Sequence, residues 1–322
     1  MPINSADAPL LLVLNTGSSS LKFAVFESNA ALVRRLSGEL QWNSHGPGHL
    51  KIIALPAQTV VDHEVASTRL RESLAIILEI IVHHVGGCQP IAAGHRVVHG
   101  GPFDAAVVVT QAVDAELRRY IPLAPLHQSR NLSGIAAVRE SFPQMLQIAC
   151  FDTAFHKGLP RLARMTTLPR HFEKRGIRRH GFHGLSYQYI VQHLRETGVD
   201  VTRERIVAAH LGNGASMCAI LDGQSVEVTT GLTTLGGLPM GTRSGDLDPG
   251  IVLHLAMEHR LDLIDLQSIL YEESGLLGMS GISHDMRELL SAPERPEARE
   301  AIEFFCYSAK KGIAALAAVL GG

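Results

Sequence analysis

Two polar segments that contain glycine carry groups able to bind phosphate. The first is Asn15-Thr16-Gly17-Ser18-Ser19-Ser20-Leu21-Lys22, between two apolar runs, and the second is His210-Leu211-Gly212-Asn213-Gly214, after another apolar run. Backbone N–H groups and hydroxyls at such tips lie within reach of phosphate oxygens, and Lys22 adds a positive charge. An ordinary serine-rich turn would account for the glycines and serines but not for Asn15 or Lys22. The sequence therefore predicts a phosphate-binding tip in each segment.

Two arginines stand where a guanidinium needs an anionic partner. Arg96 lies in His-Arg-Val-Val-His-Gly-Gly, a segment typical of a buried strand, where an unpaired charge is costly. Arg243 lies in the loop Met-Gly-Thr-Arg-Ser-Gly-Asp-Leu-Asp-Pro, and its planar fork matches carboxylate and phosphoryl oxygens. For each arginine the partner is either a substrate anion or a carboxylate of the protein, which for Arg243 would be Asp246 or Asp248.

One carboxylate and two imidazoles complete the candidate chemistry. Asp152 follows an apolar, strand-like run, and α/β enzymes commonly hold catalytic groups at the carboxyl end of a strand. Its alternative role is that of a helix N-cap. His180 and His183 stand three residues apart among glycines. A zinc site would need a third ligand, and the sequence has neither HExxH nor a Cys/His cluster, so we expect no zinc.

The elements that must position these residues alternate between strands and helices. Strand-like runs cover Leu11–Leu14, Leu21–Phe26, Ile91–Val98, Met145–Cys150, Ile206–His210 and Met217–Leu221. Helical patterns cover Ser67–Val85, Asp114–Tyr120, Ser129–Ser141, Gly250–Arg260, Leu263–Tyr271, Asp285–Ser291 and Ala298–Leu320. This alternation predicts α/β layers in both halves of the chain.

The two tips also indicate a duplication. The difference 210 − 15 is 195, and the same offset pairs Gly17 with Gly212, Ala24 with Ala219, and Val25 with Ile220. Strand, polar tip and strand thus recur in the same order. We interpret this as a duplicated domain in which each copy presents a hairpin tip to a shared cleft, with a seam near Phe151–Lys157.

Composition excludes several classes of protein. The chain has 322 residues, 46% hydrophobic and 19% charged, which favours two folded domains over disorder. Its net charge of −2 gives no basic excess, so we expect no nucleic-acid partner. No apolar stretch approaches the roughly 20 residues that span a bilayer, so we expect no membrane segment. The start Met1-Pro2-Ile3-Asn4 lacks a basic signal region, and Cys88, Cys150, Cys218 and Cys306 fit buried free thiols; both features predict a cytoplasmic protein.

Seven segments together resemble the acetate kinase family. They are Asn15–Lys22, His95–Gly101, Phe151–His156, His180–Gly184, His210–Gly214, Met240–Pro249 and Ser283–Arg287, in the family's order and spacing. The resemblance runs from residue 10 to the end of the sequence. It implies an α/β fold of two ribonuclease-H-like (actin-like ATPase) domains with an active-site cleft between them. Residues 1–152 would bind the acyl group and phosphate, and residues 153–322 would bind the nucleotide.

The resemblance implies reversible, ATP-dependent phosphorylation of acetate to acetyl phosphate, with release of ADP, by a homodimer that serves acetyl-CoA formation. Asn15 would help to bind Mg²⁺ (or Mn²⁺), Asp152 would be the active-site acid, and His183 would donate to the transition state. Arg96 and Arg243 would hold the acyl carboxylate and the transferring phosphoryl group. The residues implied for the acyl pocket are Val98, Leu126, His127 and Phe182. Those implied for ATP are Ser18, Ser20, Lys22, His210, Leu211, Gly212, Asn213, Gly214, Asp285, Met286 and Arg287.

Three features depart from the family's pattern. Thr234 stands where the family has a proline in the acyl pocket, and Gly236 replaces an acidic residue of the same loop. The sequence ends at Gly322, before the family's Gly-Gly-x-Gly-Glu-Asn loop for adenosine and a later glutamate that binds the metal. We therefore expect a nucleotide-binding domain that is incomplete at its C-terminal end. We also expect these residues alone to be a weak kinase that self-associates through the apolar stripe of helix Ala298–Leu320.

Other functions remain open at this point. A propionate or butyrate kinase is the nearest alternative, because Thr234 leaves the preferred acyl chain undecided. A relative without catalysis, which binds a phosphate ligand or a partner, is a second alternative. A sugar kinase or chaperone-type ATPase fits less well, because Met240–Pro249 has no reason to occur there.

Overall fold

The computed structural model describes residues 9–17, 20–42, 47–54, 58–65, 70–85 and 87–322. Residue contacts divide the chain into two units, Met1–Ala154 and Phe155–Gly322. None of the helices in the described ranges has the length and apolar character needed to cross a bilayer. Ser18 and the start Met1–Asn4, both used in the sequence analysis, lie outside the described residues.

Within the described ranges, the first unit is built on a mixed, eight-stranded sheet. Its strands are β1 (Leu10–Thr16), β2 (Ser20–Glu27), β3 (Arg34–Gln41), β4 (Gly48–Ala54), β5 (Gln58–Val65), β6 (Ala92–Val97), β7 (Val107–Val108) and β8 (Leu146–Phe151). Their order is β5-β4-β3-β2-β1-β6-β8-β7. Strand β1 is antiparallel to β2 but parallel to β6, which is parallel to β8. The carboxyl ends of β1, β6 and β8 therefore meet at one edge of the sheet.

Helices pack against this sheet and bury alternate residues of its strands. The helices are α1 (Leu70–His84), α2 (Gln111–Arg118) and α3 (Gln128–Ser141). Leu12, Leu14 and Val25 of the β1–β2 hairpin pack in one core with Ile77 and Ile81 of α1. Of the predicted helix Ser67–Val85, residues 67–69 lie outside the described ranges. The polar pair at the end of α1, His83 and His84, stands in its last turn, where cations suit the helix dipole.

The second unit, residues 155–322, is described throughout and contains a three-stranded antiparallel sheet. Its strands are β9 (Arg205–Leu211), β10 (Ala215–Leu221) and β11 (Gln224–Val228), in the order β11-β10-β9. Its helices are α4 (Arg161–Arg164), α5 (Arg170–Glu173), α6 (Gly184–Glu196), α7 (Pro249–Glu258), α8 (Leu263–Ser268), α9 (Gly275–Ser280), α10 (Met286–Leu290) and α11 (Pro296–Val319). Helix α6 packs on Cys218 and Ile220 of β10, and α11 packs on Met217 and Ala219 of the same strand. The α/β layering predicted for both halves is thus present in each unit.

The two hairpins match at the predicted offset only along their first strands. Strand β9 begins and ends 195 residues after β1, at 205 against 10 and at 211 against 16. Thr16 lies opposite Leu21, whereas Leu211 lies opposite Ala215, because the second tip is one residue shorter. Ala24 faces Val13, but Ala219 faces Val207, so the predicted pairing of the second strands is wrong by one residue.

The expectation that all four cysteines are buried is also wrong in part. Cys218 is buried and Cys150 half-buried, but Cys88 and Cys306 are exposed, since one lies in the connection after α1 and the other on the outer side of α11. Leu316 of α11 and Leu320 directly after it are buried, and Phe305 is partly buried. Phe304 and Ile313 of the same helix are 50% and 47% exposed. A helix that packs through one side leaves such neighbouring positions in solvent.

Candidate active site

Asn15, Arg96 and Asp152 come together where β1, β6 and β8 end. Arg96 Nε lies 3.0 Å from Asp152 Oδ1 and Nη2 lies 2.7 Å from Oδ2, while Nη1 donates to Asn15 Oδ1 over 3.1 Å. Asp152 is buried, so its attraction is only weakly screened, and it raises the pKa of Arg96 above the usual value. A carboxylate of the protein is thus a partner of Arg96, which was one of the two alternatives considered.

Helix α3 fixes the ends of β1 and β6 through two buried amide side chains. Asn131 accepts a hydrogen bond from Val98 N over 3.0 Å and donates to Thr16 O over 2.6 Å. Gln128 accepts from His99 N over 3.0 Å and donates to His99 O over 2.9 Å. Neither residue was predicted from the sequence. The available signal was a pair of amides three positions apart, Asn131 in a predicted helix and Gln128 directly before its start.

The first tip joins β1 to β2 with Asn15 and Lys22 directly opposite each other. Opposite residues of an antiparallel pair project from the same face of the sheet. Gly17 N donates to Ser20 O over 2.8 Å, which closes the turn. The Lys22 ammonium is largely exposed and lies 3.7 Å from Glu39 on the neighbouring strand.

The residues predicted for the acyl pocket lie in two parts of the chain. Val98 is buried just after β6, and Leu126 and His127 are half-buried in the turn that leads into α3. Phe182 belongs to the second unit and is also buried. Its N–H donates to Thr230 Oγ1 over 3.1 Å, and its carbonyl accepts from His156 Nε2 over 3.0 Å. Because a carbonyl only accepts, Nε2 of His156 carries a proton.

His183 has a left-handed backbone immediately before α6. Its φ is 58°, a conformation uncommon outside glycine, and Gly181 before it has φ 80°. Its ring stacks on that of His210, with centroids 4.1 Å apart and planes 18° apart. His210 Nδ1 lies 3.0 Å from the hydroxyl of Ser186 in the first turn of α6. The left-handed turn thus directs the His183 ring toward the end of β9.

Gly214 brings His183 and Arg243 into one neighbourhood. A β-carbon built on Gly214 would lie 3.2 Å from His183 Nε2 and 3.7 Å from Arg243 Nη2. The missing side chain therefore leaves space that an imidazole and a guanidinium border. Two cationic or donor groups beside a glycine-containing tip form an arrangement that suits a phosphoryl group.

The loop that carries Arg243 is anchored by the start of α9. Leu276 N donates to Met240 O and Leu277 N to Gly241 O, over 2.8 and 2.9 Å, so loop carbonyls satisfy N–H groups that a helix start leaves open. The Arg243 side chain is buried, and Nη1 donates to Thr234 O over 3.0 Å.

The two acidic residues of this loop have backbone partners. Asp246 accepts from Gly237 N over 2.7 Å, and Asp248 caps α7 by accepting from Gly250 N over 2.9 Å. These carboxylates therefore shape the loop and the start of the helix.

The remaining residues predicted to line the ATP site lie around Gly241 and α10. Gly241 N donates to Asn213 O over 3.0 Å, and Gly241 also lies against the Asn213 side chain and the carbonyl of His284. Asp285 caps α10, and hydrogen bonds from Arg287 lower the pKa of its carboxyl to about 2. Met286 is half-buried and Arg287 is exposed. Leu211, Gly212 and Asn213 form the exposed end of the second tip.

Known proteins resemble this chain over nearly its full length. The family model of the acetokinase family matches residues 10–322. The acetate kinase of Methylocella silvestris is 45% identical over 327 residues, covering 97% of this chain and 80% of that protein. The acetate kinase of Rhodopseudomonas palustris (strain TIE-1) is 46% identical over 319 residues, with the same coverage of both.

Solved structures agree with the sequence comparisons. The crystal structure of Porphyromonas gingivalis acetate kinase has a TM-score of 0.84 at 36% identity and covers 98% of this chain and 81% of that one. A propionate kinase from Francisella tularensis has a TM-score of 0.88 at 31% identity, covering 97% and 80%. The predicted α/β fold class and family resemblance are confirmed. The chain belongs to the acetokinase family.

Proposed function

We propose that this protein transfers the γ-phosphoryl group of ATP to the carboxylate of acetate, reversibly, giving acetyl phosphate and ADP. The proposal rests on one observation. The buried Arg243 guanidinium and the His183 imidazole lie close together beside Gly214. Membership of the acetokinase family supports the reaction class, a phosphotransfer to a carboxyl group.

The proposed mechanism relies on positioning and charge. Phosphoryl transfer passes through a loose transition state, which needs alignment and stabilisation of the charge on the phosphoryl oxygens. Arg243 and His183 donate hydrogen bonds to those oxygens. Acetate is ionised at neutral pH and is itself the nucleophile, so no base has to deprotonate it. Arg96 adds positive charge for the acyl substrate and keeps Asp152 in one orientation.

We assign the remaining residues by unit. In the first unit, Val98, Leu126 and His127 contact the acyl group of the substrate. Ser18, Ser20 and Lys22 bind the phosphates. In the second unit Phe182 serves the methyl group of acetate. Residues 210–214 and 285–287 serve ATP.

The oxygen donors around Arg96 fit a divalent cation. Mg²⁺ is usually bound through one or two protein oxygens together with waters and substrate phosphates. Asn15 Oδ1 and the Asp152 carboxylate supply such oxygens, each with lone pairs beyond those that Arg96 uses. A bound Mg²⁺ or Mn²⁺ would neutralise part of the phosphate charge.

Propionate is the second candidate substrate. Thr234, buried beside Arg243, stands where the resemblance places a proline of the acyl pocket. A similar solved structure is that of a propionate kinase. One methylene changes the preference of such a pocket by only about 1–3 kcal/mol, so we expect activity with both acids.

We also propose a homodimer. Leu253, Met257, Leu263 and Ile264 of α7 and α8 leave apolar side chains exposed and supply a candidate interface. Sedimentation of the protein with and without Leu263→Glu tests this assignment, which predicts dissociation of the variant.

Trapping of the product with hydroxylamine tests the reaction. The protein is incubated with ATP–Mg²⁺, hydroxylamine and acetate, propionate, butyrate or glucose, and the acyl hydroxamate and ADP are measured. Acetohydroxamate that requires ATP, and that is lost in Arg243→Ala, supports the proposal. ADP formation with glucose but no hydroxamate from any acid would overturn it in favour of a sugar kinase. Absence of both products would support a relative without catalysis.

A further inference from the structure

Two buried hydroxyls connect His183 to the interior of the second unit. His183 Nδ1 lies 2.8 Å from Ser216 Oγ, which lies 2.5 Å from Tyr187 Oη. Ser216 on β10 and Tyr187 on α6 are both 0% exposed. Tyr187 stands one helical turn after His183 and donates its backbone N–H to the His183 carbonyl over 3.2 Å. Tyr187 is therefore linked to the His183 ring through Ser216 and to the His183 backbone directly.

The direction of the hydrogen bonds that link Tyr187, Ser216 and His183 follows from the acidity of the two hydroxyl groups. Ser216 has one proton and two neighbours, so it donates to one of them and accepts from the other. A phenol is a far stronger acid than an aliphatic alcohol and is the better donor. Tyr187 therefore donates to Ser216, and Ser216 donates to His183 Nδ1. A neutral imidazole that accepts at Nδ1 carries its own proton on Nε2.

Nε2 is also the ring atom on the side of the candidate site. It is the atom nearest to a β-carbon built on Gly214, at 3.2 Å, with Arg243 Nη2 at 3.7 Å from the same point. An Nε2–H group adds a donor beside the guanidinium. A lone pair at Nε2 would instead repel phosphoryl oxygens.

We infer that Tyr187 and Ser216 are positioning residues that hold His183 in the Nε2–H tautomer, with its donor directed at the group being transferred. The identity of that group rests on the proposed function, but the tautomer does not. Stacking on His210 holds the plane of the ring, while the two hydroxyls determine which nitrogen carries the proton.

Nitrogen NMR of the whole protein tests the tautomer directly, without substrate. The side-chain ¹⁵N shifts of His183 are assigned with His183→Asn and measured at a pH about two units above the free imidazole pKa of ~6.5. The wild type should show a pyrrole-type Nε2 and a pyridine-type Nδ1. Tyr187→Phe and Ser216→Ala should give a mixture of tautomers. A dominant Nδ1–H form in the wild type, or an unchanged ratio in both folded variants, would overturn the inference.

Kinetics supply the second readout. Tyr187→Phe should lower kcat about tenfold with little change in KM for ATP, less than the hundredfold or more expected when a donor is removed outright. The control is Tyr189→Phe on the same helix, where the tyrosine is exposed, and it should leave kcat unchanged. If Tyr187→Phe fails to fold by circular dichroism, Ser216→Ala carries the test. Wild-type kcat in a folded Ser216→Ala variant would contradict the inference even when hydroxamate trapping confirms the kinase.

Discussion

Arg96 and Asp152 face each other through two parallel hydrogen bonds, with Nε 3.0 Å from Oδ1 and Nη2 2.7 Å from Oδ2. The carboxylate is buried at the end of β8, and the same guanidinium holds Asn15 at the end of β1. A planar fork matches a carboxylate in a way that an ammonium cannot. One side chain thus sets the positions of an acid and an amide that belong to different strands.

Asp152→Asn should destabilise the protein by about 3 kcal/mol, because it leaves the guanidinium without its charged partner in a largely buried place. Arg96→Gln should cost a similar amount. The double variant should cost clearly less than the sum, since neither charge then remains unpaired. Urea denaturation of the four proteins measures this cycle. Strict additivity would show that the pair contributes nothing to folding.

Arg243→Ala should lower kcat by on the order of a hundredfold or more while the fold persists, because in the proposed mechanism the guanidinium acts on charge that develops during transfer. Arg243→Lys should also fail, since a point charge cannot bridge two oxygens in the same way. The matched control is Arg287→Ala, at an exposed ion pair, which should affect KM for ATP more than kcat. An unchanged kcat and KM in Arg243→Ala would remove Arg243 from the mechanism.

Gly134→Ala should destabilise the first unit by about 1–3 kcal/mol, because a β-carbon there would lie 2.6 Å from Thr16 Oγ1 in a closely packed interior. Thr16→Ala removes that oxygen, so the double variant should regain most of the loss. Thermal unfolding of the three variants measures both effects. A double variant no more stable than Gly134→Ala would show that another contact determines the cost.

His95 should make stability depend on pH between about 6.5 and 4. Burial, the largest cause, lowers its pKa from 6.5 to about 4; the charge of Arg139 also lowers it, and the Gln147 side chain partly opposes the shift. Between these values the unfolded chain binds a proton that the folded protein does not, so stability falls as the pH falls. The full shift corresponds to about 3 kcal/mol.

Urea midpoints measured across this range test that dependence. His95→Gln should flatten the profile, while His180→Gln controls for a second histidine whose pKa burial also lowers to about 4. A profile in His95→Gln as steep as that of the wild type would contradict the assignment.

The fold could be predicted from the sequence more fully than the contacts between the residues of the candidate site. Local apolar patterns predicted both hairpins, and they predicted the ends of α3 and α11 to within two residues. This succeeded because strand alternation and helical spacing are local properties of the sequence. The one-residue change in the second hairpin depends on the length of its tip, which apolar patterns do not encode. Asn131 and Tyr187 were missed for a related reason: they act through partners 115 and 29 residues away in the chain.

Thr234 supplies a test of both stability and specificity. It is buried, its carbonyl accepts from Arg243, and among the described residues its hydroxyl has no hydrogen-bond partner. Because an unsatisfied buried hydroxyl costs about 1–3 kcal/mol, Thr234→Val, which replaces it with a methyl of similar size, should raise stability by about 1 kcal/mol. The more apolar surface should also raise kcat/KM for propionate relative to acetate by up to about tenfold, within the range that one methylene allows.

Urea denaturation and the two kcat/KM ratios measure these effects, with Thr233→Val as the neighbouring control. A less stable Thr234→Val variant would mean that the hydroxyl has a partner in solution. An unchanged ratio in both Thr234→Val and Thr234→Pro would mean that the position does not contact the acyl chain.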